Sequence, residues 1–207
     1  MLIVICRLYD SHSDAHRVIL ALQAAGVPQS ETGMISNNSD NWYSGTKTDN
    51  VIPIRRNADG GKAERKVEGA AVGAAIGATA ATAASLITML AIPGVGAIVG
   101  AGWLAAILGS MAIGGVAGGL LGALTNAGIS EEDAQVFVEG VRRGRTLVAA
   151  RVPQTELPRF EAIMTPFAVS LQERCDLYRK SGWQAFDPNA VPYTADQVRC
   201  ERALHAH

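Results

Sequence analysis

His12 and His16 are the first residues in the chain whose type and spacing could do chemistry. Four apart in a segment that reads as helical, they share one face, which two metal ligands would need. No third ligand accompanies them, and two polar residues at a helix start is the plainer reading. Cys200, His205 and His207 could collect a metal, but they stand at a frayed terminus. Glu131-Glu132-Asp133 sets carboxylates in a row, and a helix-capping role already accounts for them. Gly94-x-Gly96 with Gly100 has the outline of a dinucleotide loop. Its third glycine falls one place late, no strand is read before it, and no acid follows at the required distance. Gly60-Gly61-Lys62 lacks the first glycine and the following Ser or Thr of a phosphate loop. No Ser/His/Asp or Cys/His set stands out. The sequence therefore assigns no catalytic residue, no metal ligand and no cofactor.

Charge narrows the partners. With 18 basic and 19 acidic residues the net charge is -1, which argues against a protein held to nucleic acid by phosphate neutralisation. The three cysteines, Cys6, Cys175 and Cys200, are odd in number and far apart, which points to a reducing compartment rather than a disulfide scaffold. Arg7 ends the opening apolar run too early for a signal peptide, so the soluble part is expected in the cytoplasm.

The elements that must position these residues follow from local pattern. Leu2–Leu8 reads as a buried strand. Ser11 or Ser13 caps a helix whose apolar face is Ala15, Val18, Ile19 and Leu22, ending at Gly26 and Pro28. Thr32–Asn37 is a second strand, and Asn38–Asp59 a long polar loop apart from Val51–Ile54. Ser130 opens a helix with acids in its first turn and Arg142, Arg143 and Arg145 around its end, matching the helix dipole. Then come a strand at Thr146–Val152, a helix at Leu157–Met164 and a last strand at Ala168–Gln172. A segment with Trp183, Phe186 and Tyr193 covers a sheet edge or subunit surface, and a short helix starts near Ala195. Strand, helix, strand, insertion, strand, helix, strand is the order of an α+β, ferredoxin-like βαβ-βαβ domain with two helices on one face of its sheet. The divisions are 1–66 for its first half with the polar loop, 67–128 for the insertion, 129–175 for its second half and 176–207 for a C-terminal extension.

The insertion is the least ordinary part. From Gly69 to Ser130 there is no Asp, Glu, Lys or Arg. Gly69–Ile92 as a helix would reach about 36 Å, enough for a hydrocarbon core of about 30 Å. Pro93, Gly94 and Gly96 mark a turn, and Ala97–Thr125 forms a second arm, giving an α-helical hairpin. Gly69, Gly73, Gly77, Ala81 and Ser85 recur every four residues on the first arm. Gly102, Ala106, Ser110, Gly114, Gly118 and Gly122 do so on the second. Folded about an axis between Val95 and Gly96, these small residues meet in register, a glycine zipper that brings helix backbones close. Leu86, Ile87, Leu90, Trp103, Leu104 and Leu108 supply an apolar tip for a bilayer. Arg55, Arg56, Lys62, Arg65 and Lys66 on one flank and Arg142, Arg143 and Arg145 on the other fit a cytoplasmic side.

The opening LIVICRLYDSHSDAHRVILALQAAGVP, the central AIPGVG, the segment GISEEDAQVFVEGVRRGRTLVAARV and the tail YRKSGWQAFDP resemble the bacterial general-stress, heat-induced stress protein domain, in its glycine-zipper-containing branch. The resemblance covers nearly the whole chain except Asn38–Asp59. It implies a bacterial origin and a link to stress, and it supplies no active site to carry over. The leading expectation is a non-enzymatic, self-associating stress protein. It would pair with itself and a lipid bilayer, not nucleic acid, and sit at the bacterial inner membrane with its soluble domain in the cytoplasm. One alternative is a soluble cytoplasmic homo-oligomer with the hairpins buried in its core. The other is a small-ligand-binding ferredoxin-like domain, which requires a polar pocket with a perturbed titratable group beside the sheet.

Overall fold

The computed structural model describes residues 1–43, 51–52, 87–92, 94–111 and 119–204. Thirteen strands and α-helices follow one another there: β1 (Leu2–Tyr9), α1 (His12–Ala24), β2 (Thr32–Asn37), β3 (Val51–Ile52), β4 (Ile87–Ile92), β5 (Gly96–Ala101), α2 (Gly102–Met111), α3 (Gly119–Asn126), α4 (Glu131–Arg142), β6 (Thr146–Pro153), α5 (Leu157–Met164), α6 (Leu171–Lys180) and α7 (Ala195–Ala203). The strands form one sheet in the order β1-β6-β2-β5-β4-β3. Every pairing is antiparallel except the short one between β3 and β4.

Local chemistry sets most boundaries. The Ser11 hydroxyl accepts the Asp14 N–H at 3.0 Å and starts α1. Ser130 does the same for Asp133 at 3.2 Å and starts α4. Thr194 and Gln197 form a reciprocal capping box on α7. β6 lies between β1 and β2, antiparallel to both, so the parallel pair β1 and β2 is joined by α1 with a strand inserted between them.

Side chains of β6 alternate between two cores. Val148, Ala150 and Val152 join Ile5, Tyr9, Val18, Leu22, Phe160 and Met164 under α1 and α5. Leu147 and Ala149 join Cys6, Leu8, Ile35, Ile98, Leu104, Leu120, Phe137 and Val141 under α2, α3 and α4. α1 and α5 thus lie together on one face of the sheet, and α2, α3 and α4 cover the other.

Two expected elements are replaced. The chain turns back where the sequence places the turn, but Ile87–Ile92 and Gly96–Ala101 make a β-hairpin, not the ends of two helices. Ile87 pairs with Ala101 and Ile92 with Gly96, so the fold axis falls at Gly94 rather than between Val95 and Gly96. The Val95 N–H donates to the Ile92 carbonyl at 3.1 Å, and Gly94 has φ +76°, a value the third residue of a type II turn requires. A short apolar run has no polar residue to phase it, so periodicity alone does not separate buried strand from buried helix. The β-branched Ile, Thr and Val here favour strand. At Ala168–Gln172, only a single bridge from Ala168 to Tyr9 forms, with the Val169 N–H donating to the Leu8 carbonyl at 2.9 Å. Ser170 then caps α6 by accepting from the Glu173 N–H at 3.3 Å, and the chain turns helical before a strand can extend.

Among the described residues no helix is long and apolar enough to cross a membrane. Trp103, Leu104 and Leu108, expected at an apolar tip, are 6%, 0% and 2% exposed and pack in the core against the sheet. Ile87 and Leu90 lie on β4; Leu86 is outside the described residues. So are Gly69, Gly73, Gly77, Ala81, Ser85, Pro93, Gly114 and Gly118. Of the remaining stripe, Gly102, Ala106 and Ser110 are on α2 and Gly122 is on α3. Among the described residues Ala106 is exposed and a Cβ at Gly122 would meet nothing within 4 Å; their expected partners, Ser85 and Gly69, lie outside those residues.

Candidate functional site

α1 has two working faces. Ala15, Val18 and Leu22 are buried against the sheet. The neighbouring stripe, His12, His16, Ile19, Leu20 and Gln23, follows helical spacing and lines a cavity of about 420 Å³. The sheet extends past α1 through β5, so Thr32 and Met34 of β2 with Val99 and Ala101 of β5 form the floor. Trp42 and Tyr43 close a third side. No Asp, Glu, Lys or Arg is among the described residues that line it.

The Trp42 wall is held by the loop after β2. The Trp42 Nε1–H donates to the Asn37 carbonyl at 2.7 Å. Asn38 fixes Tyr43 twice: its Nδ2 donates to the Tyr43 carbonyl and its Oδ1 accepts the Tyr43 N–H, both at 2.9 Å. Asn41 reverses the chain between them at φ +54°, a conformation asparagine tolerates better than most residues. The rings then run in series. His16 stacks on His12 at 6.3 Å between centroids, His12 meets Trp42 at 4.4 Å, and Trp42 meets Tyr43 edge-on at 5.9 Å.

Burial lowers the His12 pKa below the ordinary imidazole value, and the charges of His16 and Arg202 push the same way. His12 Nδ1 is occluded and has no hydrogen-bond partner among the described residues, so a second ring proton there would be an unpaired buried donor. His12 is accordingly neutral at pH 7. His12 and His16 are brought together as their spacing predicts, but no group of three or more His, Cys, Asp or Glu suited to a metal occurs among the described residues.

The arginines expected to flank a membrane segment do something else. Arg143 and Arg145 are 6% and 1% exposed. Arg143 Nε reaches Glu139 Oε1 at 2.6 Å, and its Nη2 donates to Ser181 Oγ at 3.0 Å while its Cζ lies 4.4 Å above the Tyr178 ring. Arg145 Nε is 2.8 Å from Asp10 Oδ1, close enough for an ion pair but not aligned for a hydrogen bond. Arg174 Nη2 donates to Asp10 Oδ2 at 2.8 Å. These groups fasten α4, α6 and the β1–α1 turn together. Arg55, Arg56, Lys62, Arg65 and Lys66 lie outside the described residues.

Of the other candidates, Cys200 is exposed on α7, and His205 and His207 lie outside the described residues. Burial pushes the Cys6 thiol up to about 12, the opposite of an activated nucleophile. Glu131, Glu132 and Asp133 occupy the first turn of α4, as capping requires. The sequence reading missed Trp42 and Tyr43; an aromatic pair inside an otherwise polar loop was the available signal. No family model matches the chain, and no curated protein or solved structure matches it significantly.

Proposed function

We propose that the chain is a non-enzymatic binding protein, with a ferredoxin-like core, that holds an uncharged, planar heteroaromatic molecule between α1 and the β2–β5 floor. The observation that carries this reading is the cavity itself: about 420 Å³, bounded by the His12 and Trp42 rings and free of charged side chains among the described residues that line it. A charged ligand would lose its hydration there without a counter-charge. A flat ring gains a stacking surface and finds the imidazoles and the Gln23 amide at its edge. The ferredoxin-like assignment rests on β6 between β1 and β2, with α5 following and Ala168 bridging Tyr9 where a fourth strand would lie.

Titration with 2-quinolone, an uncharged bicycle carrying an adjacent donor and acceptor, tests the reading by NMR at pH 7.5. Saturable shifts are expected at His12, Trp42 and Val99. They should be lost in Ala101→Phe, which fills the cavity from its floor, and weakened about tenfold in Trp42→Ala, in line with about 1–1.5 kcal/mol for an aromatic pair. No saturable shift in the wild type, or unchanged binding in Ala101→Phe, rejects it. Because burial lowers the His12 pKa in the folded chain, the unfolded chain takes up its proton first as pH falls below about 6.5. The stability contributed by neutral His12 is thus present above that value and lost as pH falls towards the lowered one.

A second reading is favoured by the charge-free stretch Gly69–Ser130. In it, the small residues Gly69, Gly73, Gly77, Ala81 and Ser85 join copies of the chain to one another or to a bilayer, in keeping with the resemblance to general-stress proteins. The strands and helices between Ile87 and Asn126 bury much of the later part of this stretch within the chain's own fold, which leaves the earlier part to carry association. Mass measured in detergent and in plain buffer tests it. A multimer, or extraction only by detergent, is expected, and a monomer in plain buffer removes the reading.

A further inference from the structure

We infer that Arg202 on α7 is the positioning residue of the cavity, reaching back from the C-terminal helix to hold the Trp42 wall against His12. The ligand role of that wall rests on the binding reading above; the mechanical link does not.

The geometry is that of one guanidinium fork spread over three acceptors in two chain segments. Nε donates to the Gly144 carbonyl at 2.8 Å, Nη1 to Asp40 Oδ2 at 2.5 Å and Nη2 to the Asn37 carbonyl at 3.2 Å. Asn37 O is the same oxygen that accepts the Trp42 indole N–H. Asp40 stands two residues before Trp42 in the same loop. Arg202 therefore fixes both the anchor of the indole and the backbone leading to it. α7 is itself seated: Val198 is fully buried and Thr194 with Gln197 closes its first turn. The rigid planar fork matters, since a lysine ammonium at the same position could not serve three acceptors in fixed directions.

Arg202 also places a positive charge near His12. The charged and titratable groups that bear on the imidazole are His16 on α1 and Arg202, with Asp40 partly neutralising Arg202. Position and charge can be separated by substitution. Arg202→Lys keeps the charge and loses the fork, whereas Arg202→Gln loses both.

The experiment uses the full chain and three readouts: the Trp42 indole N–H shift, the His12 titration midpoint by NMR, and 2-quinolone affinity. In Arg202→Gln the indole N–H is expected to move towards its solvent value, the His12 midpoint to rise, and affinity to fall about fivefold or more, as loss of a hydrogen bond would give. In Arg202→Lys the indole N–H moves likewise but the His12 midpoint rises less. Arg199→Gln, an exposed arginine on the same helix, leaves all three unchanged. Far-UV circular dichroism and the shifts of β1 and β6 check that each variant is folded. An indole N–H unmoved in folded Arg202→Gln overturns the inference, whether or not the wild type binds 2-quinolone. If the indole N–H moves in that variant while the wild type does not bind, the binding reading fails and the positioning role stands.

Discussion

Gly102→Ala is expected to destabilise the chain by about 3 kcal/mol or more, while Gly122→Ala, in the same four-residue stripe, raises stability slightly. Gly102 has φ +76°, which an alanine adopts only at a cost of about 1–2 kcal/mol. Its added Cβ would also overlap the Thr32 carbonyl oxygen and lie 3.0 Å from Gly33 Cα. Both are backbone atoms of β2, and no side-chain rotamer relieves the contact. Gly102 is where β5 ends and α2 begins, and it bridges Gly33 directly. Forcing it apart lifts α2, with Trp103, Leu104 and Leu108, off the sheet. At Gly122, by contrast, a Cβ meets nothing within 4 Å among the described residues, and alanine in a helix gains about 0.5–1 kcal/mol over glycine. Urea unfolding of both variants decides the matter. Equal and large losses would mean that the two glycines share one helix-packing role after all.

The second large effect is expected at Asp10. One carboxylate serves two guanidiniums, with Oδ1 2.8 Å from Arg145 Nε and Oδ2 2.8 Å from Arg174 Nη2. Asp10→Ala leaves Arg145, 1% exposed, and Arg174, 9% exposed, facing each other with neither in an ion pair among the described residues. Breaking one side of a buried pair costs about 3–5 kcal/mol, and partial exposure of Asp10 argues for the lower end. That is a large share of the 5–15 kcal/mol of a typical domain. The reverse change, Arg145→Met, is expected to cost less, because Asp10 keeps Arg174 and its access to water, and the methionine fills apolar volume. Denaturation midpoints that rank the two the other way would show that packing of the Arg145 stem, not its charge, is what the fold needs.

Legibility in the sequence tracks how local the cause is. β1, α1, β2, α4, β6, α5 and α7 stand close to their expected bounds, because caps at Ser11, Ser130 and Thr194 act within three residues and alternation in β6 marks its two faces. β4 and β5 are mid-sheet strands in a stretch with no charge, where neither a polar face nor a cap sets the period. Their surroundings decide, and those come from β2, far along the chain. The same distance hides most of the site. His12 and His16 announce themselves by spacing, whereas Trp42 is placed by Asn37 and by Arg202, 162 positions beyond the Asp40 it grips. The absence of charge from Ile87 to Asn126, which composition alone assigns to lipid, is accounted for in large part by strands and helices packed inside this fold.

The position of β6 has a consequence for how the chain is made. β1 and β2 do not touch as a pair; each is completed by β6, and Leu2 waits for Pro153. At 5–20 residues per second, β1 spends on the order of ten seconds outside the ribosome before its partner exists. During that interval the sticky LIVIC segment is an open edge, and loop closure over such a span slows folding further. Arg7 donates to the Cys6 carbonyl at 2.9 Å and so occupies part of the outer edge in the finished sheet. Before β6 is made, the opposite edge of β1 has no strand beside it, and the nascent segment exposes the backbone groups that β6 later pairs.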